Sequence, residues 1–343
     1  MNVKNLKYIA AAWLIATTGS LTAFAWDGTG HMLVAQIAYN RLNDKARARV
    51  DELAAQLKRN GEPYNAISIA CWPDDIKGRD SDSPFQGKFK AWHYVDIGCD
   101  TNDPDVLSNP PALTQTSGDV IQALNHCVNL IRQKKTDALV PDEAVALALV
   151  MHFVGDIHQP LHTTARYNHD AKPGDKYKDD AGGNGVTLTN LVDTTWPNLH
   201  TFWDEAYRRY YDKGEVKAEP RLNESDAPNS PALKEWLARL KPAKPEGEPD
   251  VHLDVTAWVK ESHVIACSQV YGTLGAPYGA KNVALQEDYV KAGTQTARRQ
   301  LVVAGYRLAA LLNDLYGQGA AGAAAPAAQS SAPREPAPAP AKP

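Results

Sequence analysis

Apolar residues recur at intervals of about 3.6 along most of the chain, the spacing of one helical face. Segments 31–42, 44–58, 118–134, 142–156, 199–211, 231–240, 253–270 and 283–315 all follow it, and each is predicted to be a helix. The strongest is EAVALALVMHFVGD, which is rich in Ala and Leu and holds no Gly or Pro before Gly155. Period-two alternation is thin: chiefly VTLTNLV at 186–192, with WHYVDI as a second short stretch. The pattern predicts an all-α protein, a single mainly helical domain with a small β-hairpin. Its length suffices for one large core, although two domains would also be permitted.

Residues outside these patterns divide the chain. Positions 1–25 carry Lys4 and Lys7, then YIAAAWLIA, then a small-residue end at Ala23-Phe24-Ala25. This is the form of a cleaved signal peptide, and the apolar run is too short for a membrane span. The expected domain is 26–316. The Gly/Ala/Pro-rich stretch 317–343 cannot form a packed core and is expected to be a disordered tail. Polar segments 166–185 and 241–250 read as surface loops.

Charge and cysteines narrow the classes. The formal net charge is −4, and loss of Lys4 and Lys7 with the leader makes it −6. An acidic chain is a poor electrostatic collector of polyanions, which argues against a protein that coats DNA or regulates transcription. Four cysteines fit an oxidising compartment and allow three connectivities. Cys99–Cys127 would close a local loop, and Cys71–Cys267 would tie a late helix to the CWPDD segment; these pairings are expected. No C-x-x-C spacing occurs, so a thiolate metal site is disfavoured.

The candidate chemistry lies in MHFVGDIHQPLH. His152 and Asp156 are four apart and share a helical face. Burying an imidazole and a carboxylate there is costly unless a bound cation offsets their desolvation. Pro160 then breaks the helix, and His162 follows on the turn. One such pair could equally be a core histidine hydrogen-bonded to an aspartate. A second, His200 and Asp204 in NLHTFWDEAY, makes coincidence harder, and Asn198 before it is suited to an N-cap. Further ligand types sit in CWPDDIK (Asp74, Asp75) and AWHYVDI (His93, Asp96), although a turn and a half-buried strand would explain these alone. Cleavage after Ala25 would make Trp26 the terminal residue, whose amine and carbonyl oxygen can chelate a metal together. His31 follows five residues on.

Taken in order, WDGTGH, WPD, WHYVD, HFVGDIHQPLH, GGN and NLHTFWD span Trp26 to about Tyr316. In this ordered set the chain resembles the secreted zinc-dependent nuclease/3′-nucleotidase family, the single-strand-specific nucleases of fungi, plants and bacteria. The resemblance implies the fold shared with zinc phospholipases C, and a cluster of three Zn²⁺ ions. Asp74, His93, His152 and Asp156 would hold one ion. Trp26 (amine and carbonyl) and His31 would hold a second, with Asp156 bridging the pair. His162, His200 and Asp204 would hold the third. Such a centre gives hydroxide near neutral pH, because zinc lowers the pKa of water to about 7. Attack on phosphorus would release a 5′-phosphate and a 3′-hydroxyl.

The resemblance also implies that Asp74 orients the attacking water and that Lys77 stabilises the phosphoryl oxygens. Asn184 in AGGNG would bind substrate. Tyr94 could stack on a nucleobase and Asp96 could accept hydrogen bonds from a base edge. A base enters such a pocket only when unstacked, which favours single-stranded RNA and DNA, and 3′-nucleotides, as substrates. The expected protein is a monomer without a membrane anchor, secreted or periplasmic. His158 is the expected supporting histidine behind the ligands. The gap from His162 to His200 is longer than the fungal pattern, which leaves the rim of the third zinc open. A zinc-dependent phospholipase C is the alternative; that branch carries Glu in place of Asp204 and lacks WHYVD. A non-catalytic zinc-binding or adhesion protein is a third reading.

Overall fold

A computed structural model describes residues 26–77, 84–99, 119–167, 179–241 and 253–317. The signal peptide, the tail from 318, most of the loop at 241–250, and His169 and His252 lie outside the described residues. The architecture is mainly helical with only small sheets, as the periodicity predicts.

Helix α1 (Gly28–Tyr39) lies along the long helix α9 (Glu287–Tyr316). Gly305 of α9 permits the close approach: a Cβ there would stand 2.5 Å from the Ile37 Cβ. α2 (Asp44–Ala54), α3 (Trp72–Asp75) and α4 (Val120–Gln133) surround α5 (Glu143–Asp156), as do α1 and α9. Every α5 residue from Ala144 to Asp156 is buried, as its unbroken apolar sequence requires. Each fully buried Leu, Val or Phe there contributes about 1.5–3 kcal/mol. α6 (Leu199–Asp204), α7 (Pro231–Leu240) and α8 (Val255–Ile265) complete the helices among the described residues. Side-chain caps start most of them; Asn198, for example, accepts from the Thr201 N–H at 2.8 Å.

Among the described residues three two-stranded pairs are present: β1 (Lys58–Arg59) with β2 (Glu62–Pro63), β3 (Ile97–Cys99) parallel to β4 (Thr164–Arg166), and β5 (Arg209–Asp212) with β6 (Glu215–Ala218). The strand signal at 186–192 does not build a hairpin of its own. Thr187, Leu188 and Leu191 make single bridges to three different partners, Asn198, Val283 and Val216, so no ladder builds. The larger hairpin is β5–β6, turned by Lys213 and Gly214, both at positive φ (50° and 91°). The helix predicted over 199–211 therefore stops at Asp204, and 209–212 is strand. The segment 253–270 is likewise divided, with α8 passing into a π-turn at Ala266–Tyr271.

The expected cysteine pairing is corrected. Cys99 is bonded to Cys267, with Cα atoms 5.8 Å apart, because β4 carries β3 beside that π-turn. Cys71 and Cys127 are free and buried. Cys71 lies under α1, its thiol donating to the Gly28 carbonyl at 3.4 Å, and Cys127 lies on the α4 face packed against α5.

Candidate metal centre

The site is assembled around the C-terminal end of α5. His152 and Asp156 face the same way, with Nε2 3.3 Å from Oδ1. His31 of α1 stacks on His152 at 3.8 Å between ring centroids, and its Nε2 lies 3.4 Å from Asp156 Oδ1. Gly155 makes room for this ring. A Cβ at that position would stand 2.8 Å from His31 Nδ1.

His93 enters from the short turn before β3. Its Nδ1 lies 3.0 Å from Asp156 Oδ2 and 2.9 Å from His152 Nε2. Asp74, at the end of the CWPD turn, brings Oδ1 to 3.6 Å from His152 Nε2. After α5, Pro160–His162 turns the chain so that His162 Nε2 meets His200 Nε2 at 3.1 Å, and Asp204 Oδ1 is 3.5 Å from that His200 nitrogen. Three groups result, each with donor atoms within 4.8 Å of one another: His31, His152 and Asp156; Asp74, His93 and His152; His162, His200 and Asp204.

The donor chemistry fits cations. Nδ1 of His152, His162 and His200 points at the carbonyls of Ala70, His93 and Gly182 at 2.7–2.8 Å, fixing each ring with Nε2 toward the cluster. Both ring nitrogens of His31, Nε2 of His93 and Oδ1 of Asp156 are buried without a hydrogen bond. Burial, then His152, holds the His31 imidazole well below its usual pKa; burial, then Lys77, does so for His93 and His152. Burial raises the Asp156 carboxyl well above the ordinary range, with Asp74 adding to it, and burial also raises Asp204. Neutral imidazoles beside carboxyls that resist ionisation are what a cation site becomes without its compensating charge.

The remaining predicted residues fall around this centre. Trp26 is fully buried, and its indole donates to the Gly155 carbonyl at 2.9 Å, next to Asp156. Asp27 anchors that end of the chain: its carboxylate accepts from Tyr207 Oη at 2.5 Å and Arg221 Nε at 3.0 Å, and its N–H donates to the Asp204 carbonyl. Lys77 is buried, with Nζ 2.7 Å from Asp74 Oδ1. Tyr94 is 40% exposed at the mouth, and Asp96 is exposed beside it. The Asn184 amide donates to the Ala181 carbonyl at 2.8 Å, closing the turn that presents the Gly182 carbonyl to His200. Gly182 and Gly183 adopt φ of 59° and 82°, and a Cβ on Gly182 would stand 2.6 Å from the Leu161 carbonyl.

His158 does not approach the donors directly. Its Nδ1 faces the Val154 carbonyl at 2.7 Å and its Nε2 faces Arg307 at 2.9 Å, which pins the end of α5 to α9. Gln159, not singled out from sequence, donates to Asp204 Oδ1 at 2.7 Å and accepts from the Leu161 N–H. Its place between His158 and Pro160 in DIHQPLH was the available signal.

A mainly helical fold carrying three adjoining His/Asp groups is matched by the family profile described as S1/P1 Nuclease, over residues 26–317. The chain belongs to that family and is a hydrolase of phosphodiester bonds in nucleic acid. Among its relatives, Endonuclease 2 of Arabidopsis thaliana is 26% identical over 327 residues, covering 90% of this chain and 96% of that protein. Nuclease P1 of Penicillium citrinum is 25% identical, covering 85% and 98%. Nuclease S1 of Aspergillus oryzae is 28% identical over 53% of this chain and 54% of its own. No helix among the described residues is long and apolar enough to cross a membrane.

Proposed function

We propose that this nuclease is a zinc-dependent endonuclease that cuts single-stranded RNA and DNA to 5′-phosphorylated products and removes phosphate from 3′-nucleotides. The observation that carries the reading is the set of buried donors on three adjoining groups, several without a hydrogen bond. Imidazole and carboxylate without thiolate suit hydrolytic zinc with open positions. Asp74, His93, His152 and Asp156 would hold one ion, Trp26, His31 and the shared Asp156 a second, and His162, His200 and Asp204 a third. Zinc so held supplies a water acidified to a pKa of about 7 and positive charge for the phosphoryl oxygens.

The chain's own residues do the rest. Asp74 orients the attacking water toward phosphorus. Lys77, held at 2.7 Å from Asp74, brings its ammonium to the charge that grows on the phosphoryl oxygens. Tyr94 stacks on the base and Asp96 accepts from its edge, which requires an unpaired nucleotide. Asn184 contacts the substrate from the rim beside His200. Trp26 joins the site as the terminal residue of a secreted or periplasmic monomer, domain 26–316, after removal of 1–25.

The test measures zinc content of the processed protein together with three activities: acid-soluble nucleotide release from single-stranded DNA, phosphate release from 3′-AMP, and hydrolysis of phosphatidylcholine. Zinc with the first two activities supports the proposal. Activity on lipid alone, or nuclease activity without stoichiometric zinc, overturns it.

A further inference from the structure

The outer face of the β3–β4 ribbon is a surface feature that the metal groups and the proposed first base position leave unused. The Val95 N–H donates to the His162 carbonyl at 2.9 Å and the Ile97 N–H to the Thr163 carbonyl at 3.2 Å. The parallel ladder of β3 and β4 thus runs straight out from His93 and His162. Along it Val95, Ile97 and Cys99 are buried, whereas Tyr94 and Asp96 are exposed and Gly98 is half-buried. The period of two therefore puts positions 94, 96 and 98 on one outward face.

Tyr167, the residue after β4, occupies the far end of this face. Its N–H donates to the Cys99 carbonyl at 3.2 Å. Its ring lies on Gly98, where a Cβ would stand 2.6 Å from Cε2 and 2.7 Å from Cδ2. Despite that support the side chain is 41% exposed. Asp179 bridges to Tyr167; burial, then Asp96 and Asp179, raises the phenol pKa of both Tyr94 and Tyr167, so the four groups share one electrostatic neighbourhood. At about 3.3 Å per residue, Tyr94 and Gly98 are at most roughly 13 Å apart, shortened by the turn in which the Ile97 N–H donates to the Val95 carbonyl at 3.2 Å, against a rise of about 3.4 Å between stacked nucleotides.

We propose that Tyr167, seated on Gly98 beyond Asp96, is a second base-stacking platform that takes a further nucleobase of an extended single strand whose first base rests on Tyr94. The strand lies with its bases toward the protein and its phosphates toward solvent. Two carboxyl-bearing residues beside the rings favour this orientation, since they offer phosphates no positive charge and their oxygens can accept from exocyclic amino groups. Tyr167 and Asp179 come from the polar stretch that separates His162 from His200, whereas the seat, Gly98, belongs to β3. The inference rests on the nuclease reading, and its test separates the two.

Steady-state kinetics of Tyr167→Ala are compared on 3′-AMP, which fills only the first position, and on a thymidine tetranucleotide. Loss of one stacked base raises KM for the tetranucleotide by about 5- to 150-fold. KM for 3′-AMP, kcat and zinc content stay unchanged, and Tyr167→Trp restores tetranucleotide KM. Gly98→Ala, which forces the ring off its seat, reproduces the effect. Equilibrium binding of a phosphorothioate tetranucleotide shows the same loss without relying on turnover. Equal shifts on both substrates, or no shift on either, overturn the second platform. An unsubstituted protein that cleaves no nucleic acid counts against the nuclease reading instead, while the binding comparison still decides the platform.

Discussion

Replacing Asp156 with Asn preserves side-chain shape and removes one negative charge at the point where the histidines converge. Asp156 is fully buried, with Oδ1 3.4 Å from His31 Nε2 and 3.3 Å from His152 Nε2, and Oδ2 3.0 Å from His93 Nδ1. Removing a group that merely supports a ligand lowers metal affinity roughly 10- to 100-fold. A carboxylate that bridges two ions, as proposed for Asp156, belongs at or above the upper end, about 100-fold. At fixed free zinc that corresponds to about 2.7 kcal/mol of lost stabilisation, or roughly 5–10 °C in Tm for a domain of this size.

The metal-free comparison has the opposite sign. Burial and Asp74 raise the Asp156 pKa well above the ordinary 3.8. A raised carboxyl contributes stability that is fully present below the unfolded value and lost as pH rises through the folded one. Asn never ionises, so chelator-treated Asp156→Asn is at least as stable as chelator-treated wild type at pH 8, and the gap closes as pH falls toward 4. Thermal unfolding with zinc and with chelator, beside metal analysis, measures both arms. A variant that keeps full zinc content and the wild-type zinc-dependent rise in Tm would refute the shared-ligand role.

Other expectations concern the pocket, the helix and the disulfide. Tyr94→Ala raises KM for 3′-nucleotides by about 5- to 150-fold with zinc content unchanged, if the ring stacks on the base; Michaelis kinetics and metal analysis check it. Gly155→Ala gains about 1 kcal/mol of helix propensity but drives a Cβ to 2.8 Å from His31 Nδ1. Overpacking of about 1–3 kcal/mol then displaces the ring, so zinc content should fall while the helical circular dichroism persists. Desolvation, then Asp179 and Asp180, hold Asp96 up at about 7, so it keeps its proton over a range where a free carboxyl has lost it. Its contribution to stability is fully present below about 3.8 and fades as pH rises through about 7, and because Asp96 is exposed the test is one of sign. Asp96→Asn should remove an inflection near pH 7 from the KM profile. Cys99→Ala opens a link across 168 residues and should cost about 2–5 kcal/mol by denaturant unfolding.

Short-range periodicity carried most of what the sequence disclosed. His152 with Asp156, and His200 with Asp204, are each one helical turn apart, so local geometry alone determines that they meet. α5 needed no tertiary information either, since an unbroken apolar helix has nowhere to go but the interior. The cysteines are the opposite case. Whether Cys99 meets Cys127 or Cys267 depends on where β3 docks, and its partner β4 lies beyond α4 and α5, so sequence distance ranked the choices wrongly. The β5–β6 hairpin was hidden for a different reason. AYRRYYD continues the apolar spacing of α6, and only the positive-φ turn at Lys213-Gly214 marks the reversal.

The acidity of the chain bears on how such a nuclease chooses its substrate. With a formal net charge of −4, a general attraction for the phosphate backbone is absent, and duplex and single strand would be collected equally poorly. Recognition must then come from local features, and those proposed above are aromatic and carboxyl groups that would address bases. Tyr94 and Asp96 stand beside His93 of the candidate metal centre, and Tyr167 lies further along the same ribbon. Paired and stacked bases hide the faces and edges these groups would engage. Strand selectivity on this view comes from how the bases are reached, while zinc held as proposed, together with Lys77, would supply positive charge at the bond to be cut. It follows that salt should weaken binding of single strands with a shallower slope than for a protein that tracks phosphates, and that removing Tyr167 should leave that slope unchanged while lowering the affinity itself.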